Sequence, residues 1–255
     1  MKIQYMSDLH LEMAENSRYF KYAYKPVTGD VLILAGDTFY LNAETIPMED
    51  YWKWASENYR EVILVPGNHE FYHDCDIMKY GLEWKKMVHP NVGMYQNQVL
   101  SIDETDFILS TLWSQINPNY EYQIWRGLAD FHQSFCNSEP LTIKQYKQLH
   151  ADCLDFIKKA ADESTAEHIV VVTHHLPTTL VVAPWHHNSP LNSAFATELG
   201  EYIADSNIDV WIYGHSHSNF DAKIGNTMIV SNQLGYSFEF ENRKNGFDFG
   251  KSITI

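Results

Sequence analysis

The feature that most constrains this chain is a recurring pattern. A short apolar, β-branched run ends, within one to three residues, in a side chain able to bind a metal. Asp8 and His10 follow Ile3 to Met6, Asp37 follows Val31 to Leu34, and Asn68 with His69 follows Val62 to Val65. His174 follows Ile169 to Val172, and His215 with His217 follows Val210 to Tyr213. Such runs read as strands buried on both faces, as expected of a parallel sheet covered by helices. In open α/β sheets the loops beyond the carboxyl ends of the strands converge on one crevice, so residues far apart in sequence meet there.

Further strands are expected at Phe107 to Leu109 and Met228 to Val230. Helices are expected at Ile77 to Met87, at Ile143 to about Ala161 with Thr142 and Gln145 as a capping box, and from near Ser193 through Phe195, Leu199, Tyr202 and Ile203. The alternation predicts an α/β chain. The segment from about 113 to 140 is rich in aromatics but has no clean period, and it reads as an excursion over one face of the domain. No repeat or linker divides residues 1–255, so a single domain is expected.

Composition excludes several classes. Asp and Glu number 33 against 18 Lys and Arg, so long nucleic acid should be repelled unless bound metal or a local basic patch reverses the field. Cys75, Cys136 and Cys153 lack ligand spacing, which argues against a structural zinc site and fits a reducing compartment. The start leaves no room for a signal peptide, and no apolar run reaches the roughly 18 residues of a membrane span, so a cytoplasmic protein is expected.

Taken singly, each motif has an ordinary explanation. Asp8 would serve as a helix cap, Asp37 and Asn68 as turn residues after Gly36 and Gly67, and His174 as a satisfied interior histidine. His215 and His217 are stronger, because alternate residues of an extended chain point the same way. In this order, each after an apolar run, together they point to hard oxygens and imidazoles gathered for catalytic manganese, iron, zinc or nickel.

The set Asp8–His10, Gly36–Asp37, Gly67–Glu70, His174 and Gly214–His217 resembles the calcineurin-like metallophosphoesterases, and the likeness runs from Asp8 to about Tyr236. The resemblance implies a four-layer αββα sandwich of two mixed β-sheets flanked by helices. It implies two divalent ions sharing Asp37 and a water-derived hydroxide, one ion completed by Asp8, His10 and His217, the other by Asn68, His174 and His215. Two such ions activate water and clamp phosphate. His69 becomes the candidate general acid, with Glu70 a possible partner for its tautomer, and His175 faces the pocket or supports it. Arg126 and the loop bearing Pro177, Pro184, Trp185, His186 and His187 are expected around a small phosphate ester. Thr38, Phe39 and Tyr40 replace the longer block of the protein phosphatases, which disfavours phosphoprotein. The competing readings are a nuclease, a scaffold of the same fold without metals, and a TIM-barrel hydrolase, which would carry its HxH near the start.

Overall fold

The computed structural model describes all 255 residues. The first part of the chain runs β1 (Lys2–Met6), α1 (Ala14–Tyr22), β2 (Val31–Ala35), α2 (Glu49–Asn58), β3 (Glu61–Val65), β4 (Cys75–Asp76), β5 (Trp84–His89) and β6 (Val92–Gln96). Then come β7 (Gln98–Ile102), β8 (Thr105–Ser110), α3 (Glu121–Gly127), α4 (Asp130–Gln133), β9 (Ser134–Cys136), β10 (Glu139–Pro140) and α5 (Ile143–Glu163). The last part is β11 (His168–Thr173), α6 (Gly200–Asp205), β12 (Val210–Tyr213), β13 (Ala222–Ile224), β14 (Thr227–Ser231) and β15 (Ser252–Thr254).

Two six-stranded sheets result, ordered β15-β1-β2-β3-β6-β5 and β13-β14-β12-β11-β8-β7. In each the four central strands are parallel and both edge strands antiparallel. The parallel strands explain the unbroken apolar runs, since both faces are covered. Alternate residues such as Ile3, Tyr5, Ile33, Ile63, Leu109, Val172 and Ile212 form one buried cluster between the sheets. The opposite faces pack outward. Leu32, Leu34 and Leu64 meet Phe20 of α1 and Trp52 of α2, while Val171 and Trp211 meet Ile157 of α5 and Ile203 of α6. The order is helix, sheet, sheet, helix. Each fully buried Leu, Ile or Val adds roughly 1.5–3 kcal/mol.

The helix at Ile143 forms with the expected capping box of Thr142 and Gln145. Two other helix expectations fail. Ile77–Lys79 is a single 3-10 turn and Trp84–His89 is an edge strand, because β6 offers an antiparallel partner along that stretch. Near Ser193 only Asn192–Ala194 coils; Leu176 bridges Ala196 in extended form, and the helix begins at Gly200. No helix is long and apolar enough to cross a membrane.

Candidate metal centre

Each candidate ligand sits just past the carboxyl end of a central strand, in a turn the backbone enters under constraint. Asp8, His10, Asp37, His215 and His217 all have positive φ, between 46° and 78°. For residues other than glycine this left-handed region costs of order 1–3 kcal/mol each and persists only where the surroundings enforce it. Two glycines make room. A side chain at Gly36 would run into the His174 imidazole, and one at Gly67 into the Asp37 carboxylate.

The turns bring seven side chains into two groups. In the first, His10 Nε2 faces His217 Nε2 at 3.0 Å, and His217 Nε2 lies 3.4 Å from Asp8 Oδ1. In the second, His174 Nε2 lies 3.0 Å from Asn68 Oδ1 and 3.1 Å from His215 Nδ1. Asp37 joins them, one oxygen 3.3 Å from His174 Nε2 and the other 3.8 Å from His10 Nε2.

The hydrogen bonds at the far side of these rings show what the groups are made for. His10 Nδ1 is 3.0 Å from Glu12, His217 Nδ1 is 2.7 Å from Glu241, and His174 Nδ1 is 2.9 Å from the Ala35 carbonyl. Each of these partners only accepts, so Nδ1 carries the proton and Nε2 presents its lone pair inward. Lone pairs and carboxylate oxygens then converge on two points, and each demands positive charge. Burial alone would lower the pKa of His217, yet Asp8 and Glu241 push it up to about 10. His174 is likewise pushed up to about 9, burial being overcome by Asp37 and Asp8. Burial would raise Asp8 and Asp37, but the facing imidazoles hold both below the usual carboxylate range. Carboxylate and imidazole atoms lie close enough to hold a metal ion in three overlapping groups, Asp8 with His10 and His217, His10 with Asp37 and His69, and Asp37 with His174 and His215. This donor set, with the Asn68 amide oxygen beside the last group, fits a divalent transition metal.

His69 lines a cavity of about 480 Å³ that opens beside the two groups. Its Nδ1 is 3.2 Å from Glu12 and its Nε2 is 3.9 Å from Asp37. Glu12 is therefore the partner of His69, and it was not identified from the sequence although it stands only two residues beyond His10. Glu70 does not serve that purpose. It is wholly buried and accepts the backbone N–H groups of Asp37, Thr38, Phe39 and Gly67, tying the second ligand turn to the third.

Three further expectations concern the cavity wall. His175 does not face the cavity; it is wholly buried and takes the supporting position, its ring 4.1 Å from that of His215 and its Nε2 3.0 Å from the Tyr146 hydroxyl. Burial beside His174 holds its pKa well below the usual imidazole range. Arg126 is exposed and does not line the cavity; Gly127, Leu128, Ala129, Asp130 and Gln133 of the same segment do. The loop from Pro177 to His187 forms no wall there either. Its place is taken by Phe195, stacked on His215 at 4.4 Å. Tyr236, packed against both His10 and His217, completes the opposite side and also went unread in the sequence.

Residues 1–219 match the family model described as calcineurin-like phosphoesterase. An uncharacterized protein of Acanthamoeba polyphaga mimivirus is 28% identical over 264 residues, spanning 94% of this chain and 93% of its own. Among solved structures, the phosphopantetheinyl hydrolase of Mycobacterium tuberculosis is similar with a TM-score of 0.66 at 17% identity, covering 95% of this chain and 92% of that one. A Thermus thermophilus protein gives a TM-score of 0.50 at 16% identity, covering 91% and 88%. With the family model spanning most of the sequence and the fold shared across both solved structures, the chain belongs to the calcineurin-like phosphoesterase family.

Proposed function

We propose that this chain is a metal-dependent hydrolase of a small phosphomonoester or phosphodiester, nucleotides included. The observation that carries this reading is the pair of ligand groups meeting at Asp37, one carboxylate oxygen to each. Asp8, His10, His217 and Asp37 would hold one divalent ion, and Asn68, His174, His215 and Asp37 the other. When bound, such a pair acidifies water and neutralises phosphate oxygens.

The chain's own residues supply the rest. His69, which lines the cavity and is anchored through Nδ1 to Glu12, with Nε2 3.9 Å from Asp37, would protonate the departing alkoxide, a contribution of about 10²–10⁴-fold. No lysine or arginine lines the cavity, so the phosphate charge must be met by the ions and His69. Glu241 adds negative charge to the wall, and Tyr40, Leu128 and Phe195 add ring and methyl surface. That lining suits a compact ester with a neutral leaving group, and a polyphosphate chain would be repelled. The volume is that of a small-molecule site. Three free, buried cysteines support a reducing compartment such as the cytoplasm.

The test is turnover of nitrophenyl phosphate, bis(nitrophenyl) phosphate, a panel of nucleotides and a phosphopantetheinyl ester, the last chosen from the similar mycobacterial hydrolase. Each is assayed with manganese, nickel, iron or zinc. Hydrolysis that requires added metal is expected; no turnover of any ester with any metal would overturn the reading.

A further inference from the structure

Asn68 can serve as a ligand only through its amide oxygen, so something must decide which end of the amide faces the second group. A buried chain of hydrogen bonds does. Asn68 Nδ2 donates to the Tyr72 hydroxyl at 2.9 Å, and that hydroxyl donates to Asp130 Oδ2 at 3.1 Å. A carboxylate only accepts, so it takes the one phenolic proton, and the oxygen of Tyr72 has only lone pairs left for Asn68. The amide must then present its NH₂ to Tyr72, which turns Oδ1 toward His174 Nε2, 3.0 Å away.

Asn68, Tyr72 and Asp130 line the cavity yet are all less than 5% exposed, so their polar atoms meet chiefly one another. The ring of Tyr72 also lies against the His69 imidazole, with centroids 4.3 Å apart. The other oxygen of Asp130 is buried with no partner, so the hydrogen bonding of this carboxylate is directed to Tyr72. Asp130 opens α4, inside the aromatic segment of residues 113–140.

We propose that Tyr72 and Asp130 are positioning residues that fix the orientation of the Asn68 amide, and so set the affinity of the second ion and couple the aromatic segment to the metal centre. The inference rests on the reading of the two ligand groups as ion sites. Loss of a residue that orients a ligand typically weakens metal binding by about 10–100-fold.

The test titrates the full chain with Mn²⁺ by calorimetry, with electron paramagnetic resonance to distinguish a coupled pair from isolated ions. The unaltered protein should take up two ions. Tyr72→Phe keeps the ring but frees the amide to flip, so one ion should weaken by about 10–100-fold while the other is unchanged, and the coupled signal should give way to an isolated one. Asp130→Leu should act in the same direction. In an Asn68→Asp background, where either end of the group is an oxygen, Tyr72→Phe should no longer matter. Equal weakening of both ions, no weakening at all, or the same loss in the Asn68→Asp background would each overturn the inference while leaving the two sites standing. Uptake of fewer than two ions by the unaltered protein would sink the two-site reading, and this inference with it.

Discussion

Glu70 offers the sharpest test of how the ligand turns are held. Its two carboxylate oxygens accept four buried N–H groups: Oε1 those of Thr38 (2.6 Å) and Phe39 (3.2 Å), Oε2 those of Asp37 (3.0 Å) and Gly67 (2.6 Å). Three of these donors are consecutive, forming a concave nest for an anion. Glu70→Gln preserves length and volume but leaves one oxygen where there were two. Whichever way the amide turns, two buried N–H groups lose their acceptor and face an NH₂. Each such loss costs about 1–3 kcal/mol, so the variant should be about 2–6 kcal/mol less stable. For a chain of this size that corresponds to a melting midpoint roughly 5–20 °C lower. The assay is urea unfolding of the metal-free protein, with and without the substitution, followed by tryptophan fluorescence and circular dichroism. A variant within about 1 kcal/mol of the parent would refute the claim that Glu70 anchors the second and third ligand turns.

Three further outcomes are expected. Asp37→Asn should abolish hydrolysis and lower the number of ions bound per chain while circular dichroism is unchanged, because the bridging charge is lost but the buried volume is kept; retained activity would contradict the shared-ligand reading. Chelation should remove activity and lower the melting midpoint, since ions that bind only the folded chain contribute about 2.7 kcal/mol at one hundred times their dissociation constant; a midpoint indifferent to added metal counts against the site. His150 is buried on α5 with Nδ1 2.9 Å from the Leu112 carbonyl, and burial lowers its pKa below 6.5. Its folded form resists protonation, so its stability contribution is present above the unfolded value and is lost as pH falls toward the folded one, by up to about 1.4 kcal/mol per pH unit. Unfolding of His150→Gln between pH 7.5 and 5.5 should therefore show a shallower decline than the parent, and parallel curves would exclude that role.

The central strands were legible because their burial on both faces leaves a continuous apolar signature, and seven expected runs coincide with β1, β2, β3, β8, β11, β12 and β14. Edge strands carry no such mark. Trp84–His89 alternates in burial along an antiparallel edge, while its apolar residues, taken with Ile77, also fit a helical spacing; only the partner strand decides. α1 has little apolar face to read, burying only Asn16 and Phe20, whereas α2 does carry one in Tyr51, Trp52 and Ala55, short enough to be passed over. The seven metal-site candidates could be read from their motifs and are brought together in space. Their supporting acids could not be read in the same way. Glu12 is close to His10 in sequence, but Glu241 reaches His217 from a 3-10 turn 24 residues downstream, a spacing with no local code. Arg126 failed as a candidate because charge alone does not say which side of a helix faces the cavity; here that side is exposed.

Between β6 and β7 the chain passes from one sheet to the other through the single residue Asn97, whose φ is 49°. Asp8, His10, Asp37 and Asn68 hang from the leaf whose strands, the edge strand β15 apart, precede that crossing, and His174, His215 and His217 from the leaf that follows it. Ions seated between them would rivet two plates already joined by packing and by hydrogen bonds such as His215 N–H to Asp8 and Asn232 to the Tyr5 carbonyl, so any slip of one plate over the other would be felt at once as a lengthened bond. The same division sets an order in time. A nascent chain can finish its first plate's ligands early, yet the set that includes Asn68 is incomplete until residue 215 is made and the set that includes Asp8 until residue 217, so loading would come late in synthesis or after it.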